Sequence, residues 1–189
     1  MKKETILVTV VILLVGLIVG YMFWQKSSQP APAVVQAPAG SPPMVNNQQR
    51  ISEYQAMVAQ DPKNRQAWVM LGNEYFDIDR PVESIEAYQK ALELNADDPN
   101  VLTDQGVMYR RIRQFDRALA NFNRANQLDP GHVNSLFNMG IVYRYDVNRP
   151  DLAEASWTKF LAINPGGPGA DRVRQELAKL KSQPPLNKP

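Results

Sequence analysis

Residues 67–75 read AWVMLGNEY, and the anchors of this stretch, Trp68, Gly72 and Tyr75, return twice further along the chain. Their counterparts at the same spacing are Leu102, Gly106 and Tyr109, then Leu136, Gly140 and Tyr143. Each copy continues with a second set of small and aromatic residues, which are Ser84, Tyr88 and Ala91, then Ala118, Phe122 and Ala125, then Ala153, Trp157 and Phe160. Self-similarity at a period of 34 residues predicts an array of like structural units.

This pattern resembles the tetratricopeptide repeat (TPR) family, in which each repeat is a pair of helices, A and B, joined by a turn. The resemblance covers roughly residues 48–181 and implies an all-α helical solenoid with eight helices. Its units are a half-repeat helix over 48–64, TPR 1 over 65–98, TPR 2 over 99–132, TPR 3 over 133–166 and a capping helix over 167–182. Terminal units of this kind cover the apolar sides of the end repeats.

The resemblance also implies how the repeats pack. The glycine of helix A, Gly72 in the first repeat, should contact the small residue of helix B, where Ser84 replaces the usual alanine with little consequence. Tyr143 and Ala153 are ten positions apart, one more than their counterparts in repeat two, so we expect a turn that is one residue longer in repeat three. Phe160 stands where the other repeats have alanine and should widen the packing there.

A run of 20 residues without a charge, residues 5–24, precedes the repeats. As a helix it would span about 30 Å, which is the thickness of the hydrocarbon core of a bilayer. We interpret it as a transmembrane signal-anchor. A cleaved signal peptide is the alternative, but the run exceeds the usual apolar region of such peptides and no small-residue cleavage site follows it directly.

The orientation of this anchor follows from the charges beside it. Lys2 and Lys3 favour a cytoplasmic N-terminus, residues 1–4, and so predict a single-pass protein of the inner membrane whose repeats lie in the periplasm, outside the cytoplasm. Gly16 and Gly20 have the spacing that lets two membrane helices pack closely, so a homodimer through this pair is a further prediction.

Two segments that flank the repeats lack the residues of a packed core. Residues 25–47 are rich in Pro and Ala and are predicted to form a disordered linker, and residues 183–189 a disordered tail.

Composition argues against several functions. The 21 basic and 19 acidic residues are too balanced to predict nucleic-acid binding, and the absence of cysteine excludes thiol chemistry and cysteine metal sites. The single histidine, His132, lies in a predicted turn, and we interpret it as a solvated polar residue. Asp98 precedes Pro99 and is expected to cap a helix. Without a phosphate loop or a catalytic motif, we expect no enzyme activity, no cofactor and no metal.

The TPR resemblance implies a peptide-binding groove on the concave surface, lined by the helix A positions that do not carry the packing signature. The residues carried over in this way are Gln66, Val69, Asn73, Phe76, Asp77, Asn100, Thr103, Val107, Arg110, Arg111, Asn134, Phe137, Asn138, Ile141, Arg144 and Tyr145. Their amides, apolar groups and arginines suit an extended or helical peptide. Asn73 and Asn138 match two positions of a carboxylate clamp known in the family, but Val69 stands where its first lysine belongs, so that ligand is not assigned.

Two functions fit this layout. The first is a membrane-tethered adaptor that holds a protein client for assembly or maturation of a complex. An anchor followed by extracytoplasmic repeats is similar in layout to the TPR components of bacterial cytochrome c maturation. The second is a constitutive structural subunit of an envelope machine, such as a secretion, pilus or division apparatus.

Overall fold

The computed structural model of the chain describes residues 46–182. Within that range the chain forms eight helices and no strands, as the sequence predicts. They are α1 (Asn47–Gln60), α2 (Arg65–Asp77), α3 (Pro81–Leu94), α4 (Pro99–Arg111), α5 (Phe115–Leu128), α6 (Val133–Ile141), which continues as a π-helix (Val142–Asp146), α7 (Pro150–Ile163) and α8 (Gly167–Ser182). None of these helices combines the length and the apolar character that a membrane span requires. The predicted N-terminus (1–4), anchor (5–24) and tail (183–189), and the linker up to residue 45, lie outside the described residues.

The helices pack in chain order, so that α2 pairs with α3, α4 with α5 and α6 with α7. A glycine on the first helix of each pair lies against an aromatic ring on the second. A Cβ atom at Gly72, Gly106 or Gly140 would approach the rings of Tyr88, Phe122 and Trp157 to 2.5, 2.5 and 2.1 Å respectively. The aromatic ring therefore fills the space in front of each glycine, and in the first repeat the expected contact with the small residue is also present, between Ser84 and Gly72.

Ser84 has a larger role than its size suggests. Its side chain is fully buried, and its hydroxyl donates a hydrogen bond of 2.9 Å to the carbonyl oxygen of Gly72. A buried hydroxyl without a partner would destabilise the fold, so this bond is what makes serine acceptable at a position that is alanine in the next two repeats.

Asp98 links two repeats. Its Oδ1 accepts hydrogen bonds from the backbone N–H groups of Asn100 and Val101, which confirms it as the N-cap of α4. Its Oδ2 accepts a hydrogen bond from the guanidinium of Arg65, at the start of α2. The pKa of Asp98 lies below its ordinary value: burial alone would raise it, and the hydrogen bonds outweigh burial.

Both ends of the stack are covered by a helix. At the N-terminal end, Ile51 and Val58 of α1 are buried in one apolar cluster with Leu71 and Tyr75 of α2. Arg50 forms an ion pair of 2.7 Å with Glu74, which is only 5% exposed. Helix α1 begins at Asn47, one residue before the predicted start at 48.

At the C-terminal end, Ala170 and Val173 of α8 are fully buried against Trp157 and Phe160. A Cβ atom at Gly169 would lie 3.3 Å from the ring of Phe160. The large ring that replaces alanine is therefore accommodated by small residues on the next helix.

The extra residue of repeat three lies inside a helix, so the expected longer turn is wrong. The turns of all three repeats have three residues, and the additional residue instead widens the end of α6 into the π-helix 142–146. There the N–H of Val147 donates to the carbonyl of Val142, five residues back. A π-helix absorbs one residue without a break in the rod, and such segments are often found at functional sites.

Candidate binding groove

The predicted groove residues differ in accessibility. Gln66, Asp77, Asn100, Arg111, Asn134 and Tyr145 are exposed. Half-buried positions are Val69, Asn73, Phe76, Val107, Arg110, Phe137, Asn138 and Ile141. Thr103 and Arg144 are buried, at 3% and 9% exposure, so their side chains present little surface to a ligand.

Four of the predicted residues meet in one pocket of about 550 Å³. Val107, Arg110 and Arg111 of α4 line it together with Tyr145 of the π-helix. The pocket therefore joins repeats two and three. Three further lining residues, Arg113, Phe115 and Asp146, were missed by the sequence reasoning, which considered helix A positions alone.

Three guanidinium groups face this pocket and only one carboxylate does. Asp146 accepts hydrogen bonds from Nε and Nη2 of Arg110 and so neutralises it. Arg111 lies 3.6 Å from Asp79, and both side chains are more than half exposed, so solvent screens this pair. Arg113 lies over the ring of Phe115, 5.7 Å from its centroid. The pocket is therefore positively charged, chiefly through Arg111 and Arg113.

The π-helix positions the far wall of the pocket. Tyr145 is 54% exposed, yet its hydroxyl donates a hydrogen bond of 2.5 Å to Glu176 on α8. That hydrogen bond raises the pKa of the Tyr145 hydroxyl. The pKa of Glu176 is lowered, because hydrogen bonds from Lys179 and Tyr145 outweigh the opposing effect of its burial.

A carboxylate that the sequence reasoning did not select, Asp104, lies on α4. Asp104 is half-buried, and burial, together with the negative charge of Asp98, raises its pKa to about 6. Burial raises the pKa of the Tyr88 hydroxyl, and the negative charge of Asp104 raises it further. The hydroxyl of Tyr88 donates to the side-chain oxygen of Asn73, a predicted groove residue, at 2.8 Å.

Other predicted residues are engaged within the protein. Thr103 donates to the carbonyl of Pro99 at 2.8 Å and lies 3.4 Å from Nδ1 of His132. Nε2 of His132 is 3.1 Å from the side-chain oxygen of Asn100. His132 is half-buried, and these contacts connect the turn after α5 to helix α4.

In repeat three the predicted groove residues also contact their neighbours. The ring of Phe137 packs edge-on against Phe160, with centroids 6.4 Å apart, and the guanidinium of Arg172 lies over the Phe137 ring, 4.9 Å from its centroid. Asn138 donates from Nδ2 to the carbonyl of Asn134 at 2.9 Å.

A second pocket, of about 360 Å³, has a mainly apolar lining and lies along α3. Trp68, Ile85 and Tyr109 contribute its apolar surface, while Glu86, Gln89, Lys90 and Glu93 contribute polar groups. Lys90 and Glu93 form an exposed ion pair of 2.9 Å. No residue of the predicted groove lines this pocket.

The sequence profile described as Tetratricopeptide repeat matches residues 66–98, which correspond to α2, α3 and the turn that follows them. The chain is a tetratricopeptide repeat protein. The match covers the first repeat, and the pairs α4–α5 and α6–α7 repeat its glycine–aromatic packing. TPR proteins serve as scaffolds or adaptors that bind other proteins.

Two curated proteins are similar in sequence to part of this chain. Protein O-mannosyl-transferase TMTC3 of Homo sapiens is 32% identical over 101 residues, which are 51% of this chain and 11% of the relative. Photosystem I assembly protein Ycf3 of Synechococcus sp. (strain WH7803) is 28% identical over 101 residues, which are 45% of this chain and 58% of the relative. The chain therefore matches about a tenth of the first relative's length and little more than half of the second's.

Solved structures confirm the TPR fold. The crystal structure of MamA superposes with a TM-score of 0.60 at 22% identity, covering 69% of this chain and 78% of that one. The Arabidopsis OM64 TPR domain has a TM-score of 0.56 at 18% identity and covers 61% of this chain and 94% of that one.

Proposed function

We propose that this TPR protein is a membrane-tethered adaptor without catalytic activity, which binds a protein client in its concave groove outside the cytoplasm for assembly or maturation of a complex. One observation carries the client-binding part. Val107, Arg110, Arg111 and Tyr145, selected from the sequence as groove residues, line one pocket of about 550 Å³ between two repeats. Exposed guanidinium groups beside apolar side chains suit a peptide segment with acidic groups.

The assembly role has support from outside the groove. Ycf3, which matches 45% of this chain, is by name an assembly protein. An anchor followed by TPRs is also the layout of cytochrome c maturation components, so an immature protein that awaits a cofactor or a partner is a suitable client.

Photo-crosslinking in the native host tests the groove. A photoreactive amino acid replaces Val107 in one variant and Lys90, on the outer helix α3, in another. The adaptor function predicts that the Val107 probe captures one main protein, whereas the matched Lys90 probe does not. Capture by Lys90 alone would contradict the groove.

The tether is tested separately because it rests on residues 5–24, outside the described part of the chain. We expect the chain to stay with membranes after carbonate extraction, and we expect protease added from the extracytoplasmic side to cleave the linker. Release by carbonate would contradict the anchor. If Gly16 and Gly20 pair two anchors, replacing both with Ile should abolish a crosslinked dimer.

A constitutive structural subunit of an envelope machine is the second candidate. The apolar pocket around Trp68, Ile85 and Tyr109 favours it, since this outer surface would suit a permanent partner. A stoichiometric complex that survives substitution of Arg111 and Arg113 but is lost on Ile85→Asp would select this candidate.

A further inference from the structure

Helix α4 presents a mixed stripe of side chains to the groove. Asn100, Asp104, Val107 and Arg111 recur at intervals of four, three and four residues, which is the spacing of one helix face. Val107 and Arg111 line the pocket of about 550 Å³, so Asp104 lies on the same face, one turn nearer the helix N-terminus. Seven residues separate Asp104 from Arg111, which corresponds to about 10 Å along the axis.

Asp104 has no partner of its own among residues 46–182. No side chain there donates a hydrogen bond to it or forms an ion pair with it, and the charge that most affects it is the negative charge of Asp98. A half-buried carboxylate without a cation lowers the stability of the fold. Neither the packing of α4 nor its capping requires an acidic group at this position.

Arg113 has an unfavourable backbone conformation. It adopts φ 62°, in the left-handed region, as do Asp79 (55°) and Asn148 (53°) at the corresponding position of the other two turns. Asp and Asn tolerate this conformation, whereas arginine has no such preference. The turn of repeat two therefore holds the least suitable residue of the three, and its side chain lines the pocket beside Arg111.

Residues that break a local rule are expected at functional sites. Asp104 and Arg113 both break one: Asp104 lies on this face of α4, and Arg113 lines the pocket from the turn that follows the helix. Arg110 differs from them, because Asp146 already engages its guanidinium.

We propose that Asp104 at one end, and Arg111 with Arg113 at the other, form a two-charge docking site for a client segment that carries a basic and an acidic side chain about 10 Å apart. In an extended segment of polyproline II conformation, three residues rise about 9 Å and complete one turn, so two charged side chains at that spacing face the same side. The proposal rests on the client-binding function of the groove and specifies the chemistry of the client.

The test uses fluorescent extended peptides with blocked termini and the full-length chain in detergent. One pair of peptides carries Lys and Glu three residues apart, in the two possible orders, and a control peptide carries them side by side. We expect one of the spaced peptides to bind about tenfold more tightly than the control. Replacing its Lys by norleucine, or its Glu by Gln, should each remove most of that advantage.

Variants assign each charge to its residue. Asp104→Asn should abolish the preference for Lys over norleucine and keep the preference for Glu over Gln. Arg111→Gln combined with Arg113→Asn should abolish the preference for Glu over Gln and keep the preference for Lys over norleucine. Glu154→Gln and Lys181→Gln, at exposed positions on α7 and α8, serve as matched controls and should change neither preference.

Three outcomes would overturn the proposal: no binding of any peptide at about 1 mM, equal binding of spaced and adjacent charges, or Asp104 and Arg113 variants that alter stability but not peptide preference. The crosslinking experiment tests the proposed function separately from the docking site. If the Val107 probe captures a client in the host while the peptides show no charge preference, the groove function stands and only the docking site is wrong.

Discussion

The ring of Phe122 occupies the space in front of Gly106 that any side chain would need. A Cβ atom there would lie 2.5 Å from one ring carbon, and Phe122 is fully buried, so the ring has little room to move away. The same relation joins Gly72 to Tyr88 and Gly140 to Trp157. At the scale of single residues, the repeat is therefore defined by glycine–aromatic pairs.

We expect Gly106→Ala to destabilise the protein by about 2 kcal/mol, because overpacking of a buried contact outweighs the better helix propensity of alanine. Denaturant unfolding of the full chain, with and without the substitution, measures this loss of stability. Gly166→Ala is the matched control, since no atom lies within 4 Å of the position of its Cβ. A neutral Gly106→Ala would show that the ring can shift, and Phe122→Leu in the same chain should recover part of the loss.

Asp104→Asn should stabilise the protein at pH 7 by about 1–3 kcal/mol. Its carboxyl has a pKa of about 6 in the fold against an ordinary value of 3.8. A raised carboxyl pKa means that the folded state binds more protons between these values, so the unfavourable contribution of Asp104 grows as pH rises from about 4 to 6. The gain from the variant should therefore be large at pH 7 and vanish below about pH 4. The free energy of unfolding of the variant and the parent chain, measured from pH 4 to pH 7, checks this prediction. Asp116→Asn, at an exposed position, is the control. A gain in stability that does not depend on pH would show that the raised pKa of Asp104 is not its cause.

Sequence reasoning at the residue scale identified the anchors but not all of their contacts. Spacing identifies Gly72 as an anchor, but it does not identify Tyr88 as the residue packed against Gly72, because spacing shows which residues recur and not which side chain fills a gap. Asp104 could have been found by extending the stripe of Val107 and Arg111 back by one turn. Arg113 could not, since its φ angle is a property of the folded turn.

Among the helices, α4 is the element on which the groove depends. Its N-terminus is capped by Asp98, which also accepts a hydrogen bond from Arg65 at the start of α2. Its C-terminal half is joined to the π-helix by Arg110 and Asp146. The orientation of the docking face is thus determined by contacts with both neighbouring repeats.

Asp98→Ala should cost about 2 kcal/mol of unfolding free energy, because α4 loses its cap and Arg65 loses its partner. Asp98→Asn keeps a capping oxygen and should cost less, about 1 kcal/mol. Since the pKa of Asp98 is lowered in the fold, its stabilising effect is present above the ordinary value of 3.8 and is lost as pH falls through the lower, folded-state value. Thermal unfolding of both variants at neutral and acidic pH tests this, and equal losses for Ala and Asn would mean that the cap contributes nothing.

The helix boundaries could be predicted closely because caps and prolines mark them in the sequence. Pro81, Pro99 and Pro150 each occupy the first position of a helix in the structure. The π-helix could not be placed. A ten-residue spacing between Tyr143 and Ala153 reveals an extra residue, but the spacing does not show whether that residue widens the helix or lengthens the turn.

The described part of the molecule is a linear stack, in which each helix contacts mainly its neighbours in sequence. Stability in such arrays is close to a sum of local terms, so one end can open while the other stays folded. The terminal helices α1 and α8 then act independently of each other.

We expect Val173→Asp to release α8, because it introduces a charge at a fully buried position. Hydrogen exchange should show faster exchange over residues 133–182 and unchanged exchange over residues 47–98. Ile51→Asp, in α1, is the mirror-image control and should loosen the first repeat alone. Uniform loss of protection along the chain in either variant would show that the stack unfolds as one unit.

The pairing of Phe160 with Gly169 and Ala170 bears on how the number of repeats can evolve. Solenoids lengthen by duplication of whole units, and a duplicated unit must fit the surface on which it is inserted. A copy of repeat two placed after residue 166 would bring Val101 and Leu102 against Phe160, where the present chain has Gly169 and Ala170. Expansion of the array by duplication is thus obstructed at its C-terminal end, while the alanines Ala91 and Ala125 leave the inner junctions open to it.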